Sequence, residues 1–187
     1  MLHALLLSLL AQLPIAKQPD AKVMLATLSE ARAKRLVDSK ALLAIKQGPI
    51  DATLATDLLE HDWLLAGAWS FGSKSFSPGY LDAEPPQFNF ERVLGDGRGL
   101  DFLFVGNQVQ HTNFDAAPTR SVGLKLVGKD TYLAITSSGT TELHRVVQYS
   151  NGVLILNVSA DGKPRSKRID YRQVRVSMPR QFESTGK

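Results

Sequence analysis

The sequence predicts a mainly β protein: an antiparallel up-and-down barrel of about eight to ten strands, preceded by one or two α-helices. Three observations lead there. The apolar period changes from helical to two just after Trp63. Short glycine- and asparagine-containing turns then recur between alternating segments as far as residue 176. Most of those connections are too short for anything except antiparallel neighbours, so a closed meander is the economical topology. A β-sandwich, the main rival, needs longer crossovers than the chain offers after residue 87.

Taken in order, the chain divides into a hydrophobic segment 1–18, a helical segment 19–62, a barrel 63–177 and a tail 178–187. The run Ala4-Leu5-Leu6-Leu7-Ser8-Leu9-Leu10-Ala11 is shorter than the roughly 20 residues that a membrane-spanning helix needs. It has the length of a signal-peptide core, which would make the protein periplasmic or secreted. However, His3 is the only basic side chain before it, and cleavage after Ala16 would put Pro14 at the −3 position. The other reading is an N-terminal helix that packs on the protein or contacts a membrane surface, with a cytoplasmic location. From Pro19 to Gln47, Met24, Leu25, Leu28, Ala31 and Leu36 share one broad face, and Gly48-Pro49 ends the helix. A second helix spans about Ala52–His61, with Asp51 placed to accept from its first N–H groups.

The first strand, about Leu64–Gly72, sets Leu65, Gly67, Trp69 and Phe71 on one face. A long loop, Ser73–Pro86, follows; Ser77-Pro78-Gly79 and Glu84-Pro85-Pro86 oppose strand continuation. The second strand, Gln87–Leu94, puts Phe88 and Phe90 opposite Asn89, Glu91 and Val93. Gly95-Asp96-Gly97-Arg98-Gly99 reads as a hairpin tip and not a phosphate loop, because strand residues lie on both sides. Leu100–Val105, Gln108–Asp115, Ser121–Val127, Thr131–Thr136, Glu142–Tyr149, Val153–Val158 and Lys167–Val176 complete the series.

Gly67-Ala68-Trp69 resembles the Gly-x-Trp that opens the first strand of lipocalins and related calycin-type barrels. Phe88-Asn89-Phe90 followed by Gly97-Arg98-Gly99 is similar to the second-strand hairpin of bacterial lipocalin-like domains. The Thr-Asp-Tyr motif of typical lipocalins is absent, since Asp130-Thr131-Tyr132 has the residues in another order. The resemblance covers residues 64–176. It implies a small hydrophobic ligand in the barrel, with the Ser73–Pro86 loop across the open end and Phe71, Phe88, Phe90, Phe102 and Phe104 among the lining. It also implies structural roles for Gly67, Trp69 and Arg172, with Trp69 at the closed end beside an Arg from the last strand region, for which Arg168, Arg172 and Arg175 are the candidates.

Composition narrows the alternatives. Apolar residues make up 43% and charged residues 21% of the 187, which is the balance of a folded domain. There is no cysteine, so disulfides and thiolate metal sites are excluded. His3, His61, His111 and His144 lack metal-ligand spacing, no Gly-x-Ser-x-Gly or Walker sequence occurs, and no cofactor or catalytic motif is recognisable. Glu142 and His144 share a strand face, but Gln148 continues a polar row that reads as exposed. The chain carries +4 overall, with eight Lys or Arg against two acids in residues 163–187. That basic end has no nucleic-acid-binding motif beside it, so nucleic acid is not an expected partner. Two function classes follow: a barrel binding a small hydrophobic molecule, and a filled barrel that meets a protein partner or an anionic surface through its helices and basic C-terminal strand.

Overall fold

The computed structural model describes residues 39–81, 87–105, 108–111 and 120–180. The segment 1–18, the helix expected before residue 39 and the tail beyond 180 lie outside them. Two short helices, α1 (Ser39–Ala44) and α2 (Leu54–Glu60), precede eleven strands. These are β1 (His61–Ser70), β2 (Ser75–Pro78), β3 (Tyr80–Leu81), β4 (Gln87–Val93), β5 (Gly99–Val105), β6 (Gln108–His111), β7 (Ser121–Val127), β8 (Asp130–Ser137), β9 (Thr140–Ser150), β10 (Val153–Val158) and β11 (Tyr171–Pro179). All the pairings between them are antiparallel.

Eight strands form the wall, in the order β5-β4-β1-β11-β10-β9-β8-β7, and β6 extends the free part of the β5 edge. The ring nearly closes where the β4–β5 tip meets the start of β7. There Arg98 bridges Ser121, Gly99 N–H donates to the Arg120 carbonyl and Val122 N–H donates to the Gly97 carbonyl. The glycine-rich tip is therefore a closure point, which agrees with its reading as a hairpin. The nearly closed antiparallel barrel is compatible with a calycin-like fold.

Two buried clusters lie on the two faces of the wall. One draws Trp63, Val93, Val122, Leu133, Val146, Leu154 and Leu156 from six strands around the ring, so it is the interior. Leu54 and Leu58 of α2 close its end. The indole N–H of Trp63 donates to the Leu58 carbonyl at 3.4 Å, and Tyr149 donates its hydroxyl proton to Asp57. Burial, and then the neighbouring Asp57 carboxylate, push the Tyr149 pKa upward, so the phenol stays protonated as a donor. The other cluster comes from adjacent strands only. It includes Leu64, Phe88, Phe90, Ile155, Val174 and Val176, and lies under Leu42 and Ile45 on the outer side.

Several expectations need correction. A bulge between Leu65 and Gly67 in the β1–β11 pairing switches the strand's alternation, since one extra residue exchanges faces. Leu65 lines the interior pocket described below, whereas Trp69 packs on the outer cluster. Trp69 is only partly buried, and the tryptophan sealed in the closed end is Trp63, 2% exposed. The described part of the expected loop, residues 73–81, is not a free lid. β2 pairs with β1 and β3 with β4, filling the gap where those two long strands diverge. Pro78 is tolerated because it ends a strand whose only partner among the described residues is β1. Asp51 does not cap α2 with its side chain; its carboxylate accepts from Asn151 N–H at 3.4 Å.

Candidate functional site

Inside the barrel, the strand positions facing the expected cavity carry charge. Glu91 on β4 lies directly opposite Asp101 on β5, a like-charge pair that is destabilising without a cation. Arg120 supplies one: its guanidinium bridges both carboxylates, at 2.8 Å from Asp101. Arg175 on β11 reaches over β1 to the other oxygen of Glu91. Burial pushes the Arg175 pKa down to about 10, still well above neutral pH, so it remains cationic. The two arginines and two acids leave a pocket of about 120 Å³, with Trp63, Leu65, Asn89 and Gln173 completing its wall. A typical small-molecule site occupies roughly 300–1,000 Å³, so this space is too small and too polar for a fatty-acid-sized guest.

Phe71, Phe88 and Phe90, expected to line an apolar cavity, are placed elsewhere. Phe88 and Phe90 are buried in the outer cluster, although Phe90 also touches the interior pocket. In backbone register, Phe102 and Phe104 lie opposite Phe90 and Phe88. Phe71 lies beside Arg172, whose guanidinium carbon is 6.0 Å from the ring centroid. Arg172 also stands directly opposite Trp69 in the β1–β11 register. Arg172 fastens α1: it donates to the carbonyls of Leu42 at 2.6 Å and Ile45 at 2.8 Å, and to Asn157 Oδ1 at 2.9 Å. Basic groups suit helix C-termini, where carbonyls lack partners. Gly67 has a direct steric role, because an added Cβ would sit 2.2 Å from the Phe76 ring and 2.8 Å from the Ser77 carbonyl oxygen.

His144 is also corrected. It is buried, with Nε2 3.3 Å from the exposed Glu142, and not on an exposed polar face. Burial lowers its pKa, Glu142 partly opposes this, and the charge of Arg120 lowers it further. The imidazole is therefore neutral at pH 7. No group of three or more His, Cys, Asp or Glu among the described residues could hold a metal.

The apolar concavity is at the incompletely closed seam. Among the described residues, β7 meets the β4–β5 tip only through its first residues. Its later part has β8 on one side and no strand on the other. A groove of about 340 Å³ opens there between α2 and the β7–β8 hairpin. Ile50, Leu54, Ala55, Leu124 and Leu126 form its apolar wall, with Lys125 and Asp51 also lining it. Leu126 is 73% exposed, while Leu54 belongs to the interior core, so the groove floor is continuous with the barrel's packing.

No family model, curated protein or solved structure matches the chain. The functional reading therefore rests on these geometries. The sequence does show Val122, Leu124 and Leu126 alternating along one strand face. It does not show that the neighbouring edge has no strand partner among the described residues, and this is what turns an ordinary strand into a groove wall.

Proposed function

We propose that the protein is a binding protein for a small hydrophobic molecule, held in the groove between α2 and the β7–β8 hairpin and not under the β2–β3 insertion. The observation that carries this reading is the 340 Å³ apolar groove with Leu124 and Leu126 uncovered beside it. Its volume falls within the usual range for ligand sites. Burying a leucine side chain contributes about 1.5–3 kcal/mol, so two partly exposed leucines supply a useful share of a micromolar affinity. Lys125 offers a cation to a carboxylate headgroup, which makes a fatty-acid-like molecule the preferred class. No helix among the described residues is long and apolar enough to cross a membrane. The export suggested by residues 1–18 belongs to the same reading: a periplasmic or secreted carrier of apolar cargo.

A displacement assay with an environment-sensitive fatty-acid dye tests this. Saturable binding that weakens about tenfold or more in Leu126→Asp supports it; equal binding by the variant rejects the groove. The competing occupant is a segment of a protein partner, favoured by the β7 edge that has no strand partner among the described residues, since an exposed edge accepts an added strand. Saturation by the dye, reversed by a free fatty acid, decides for the small molecule.

A further inference from the structure

We propose that a second, separate concavity on the outer face is a binding site for a phosphate group. It lies between the β7–β8 turn and the segment joining β10 to β11, with a volume of about 280 Å³. Lys129, Arg145, Lys163 and Arg165 line it, against Asp130 as its only acidic residue among those described. Asp130 is taken up by Arg145, at 3.1 Å. Lys129, Lys163 and Arg165 have no acidic partner among the described residues. Three surplus cations around one concavity exceed what a single carboxylate neutralises, and they match a dianionic phosphate, which accepts charge-assisted hydrogen bonds from Lys and Arg.

The arrangement is held from several sides. Arg165 adopts φ 57°, the left-handed region that side-chain-bearing residues rarely occupy. Its N–H donates to the Tyr132 hydroxyl at 3.0 Å, which leaves the Tyr132 proton available to an incoming acceptor. Gly128 at the β7–β8 turn makes room for the guanidinium, because a Cβ there would lie 2.0 Å from Arg165 Nη2. The Nε of Arg145 is buried without a hydrogen-bond partner. The basic excess noticed in residues 163–187 is thus partly gathered, by Lys163 and Arg165, into a concavity of small-molecule size instead of spread along a flat strip.

A soluble phosphomonoester and a phosphatidic-acid-type headgroup both carry such a phosphate group, and the recognition chemistry is the same. The test is a solution NMR titration of the full chain with inorganic phosphate, holding ionic strength constant with sodium chloride because surface charge is screened by salt. Saturable amide shifts at Gly128, Gly162 and Ser166 are expected, with affinity falling about tenfold in Lys163→Gln and in Arg165→Gln. Both substituted residues are exposed, so folding should be unaffected, and Lys74→Gln, on the β1–β2 turn, should bind as the unaltered protein does. Linear shifts without saturation, or binding unchanged in both variants, would overturn the proposal. In a second arm, phosphatidylcholine vesicles are compared with and without phosphatidic acid. Retention only on phosphatidic-acid vesicles, lost in both variants, assigns the phosphate to a headgroup. Phosphate saturation without vesicle retention assigns it to a soluble molecule. Retention that survives the substitutions counts against the site.

Discussion

Asp62→Ala should be among the most destabilising single changes in the barrel. Asp62 on β1 and Arg92 on β4 are cross-strand partners joined by two hydrogen bonds, at 2.6 and 2.8 Å, and each side chain is 1% exposed. Removing the carboxylate leaves a guanidinium in a space that water does not reach. Breaking one member of such a buried pair costs about 3–5 kcal/mol, much of it the penalty on a buried charge that has lost its bidentate partner. In a domain of this size about 1 kcal/mol shifts Tm by roughly 2–4 °C, so a fall of roughly 6–20 °C is expected. Asp62→Ala with Arg92→Met removes both charges and should recover much of the loss, because a buried pair adds little net stability over apolar packing. Thermal unfolding followed by circular dichroism provides the comparison. A single variant within about 2 °C of the unaltered protein, or a double variant no better than the single, would refute the reasoning.

The two tryptophans should differ: Trp63→Ala should cost about 3–5 kcal/mol, whereas Trp69→Ala, at a half-buried outer position, should cost clearly less in denaturant titrations. His144 should make stability acid-sensitive. Its folded-state pKa lies below the unfolded value of about 6.5, so its contribution is complete above that pH and is lost as pH falls towards the folded value. Melting temperatures at pH 7.5 and 5.5 should separate, and His144→Leu should narrow the gap. For export, mass spectrometry of protein from the host envelope should find roughly the first 16 to 18 residues missing; an intact N-terminus on cytoplasmic protein would reject the signal-peptide reading.

The strand series was legible because its turns are chemically explicit. Asn151-Gly152 adopts positive φ at both central positions, 50° and 72°, as a two-residue hairpin turn requires, and Val153–Val158 forms the strand expected after it. The faces of β1 after Leu65 were misassigned although Gly67, a glycine inside a strand, is a sign of a bulge; one extra residue there exchanges the faces of the rest of that strand. The interior charges were half visible. Glu91 and Asp101 can be placed opposite each other once the hairpin register is set by the glycine tip, but Arg120 reaches them from outside any strand expected from the pattern. The β2–β3 insertion was hidden by its prolines, which argue correctly against central strands and say little about a short edge strand. The groove arises from ring closure, a property of the whole barrel that no local window records.

The most direct measurement is a backbone NMR titration with a medium-chain fatty acid. Binding in the proposed groove predicts saturable shifts at Ala55, Leu124 and Leu126, with little change at Asn89, Glu91 and Gln173 around the charged interior pocket. Shifts centred on the interior set, or no saturable change at Leu124 and Leu126, would contradict it.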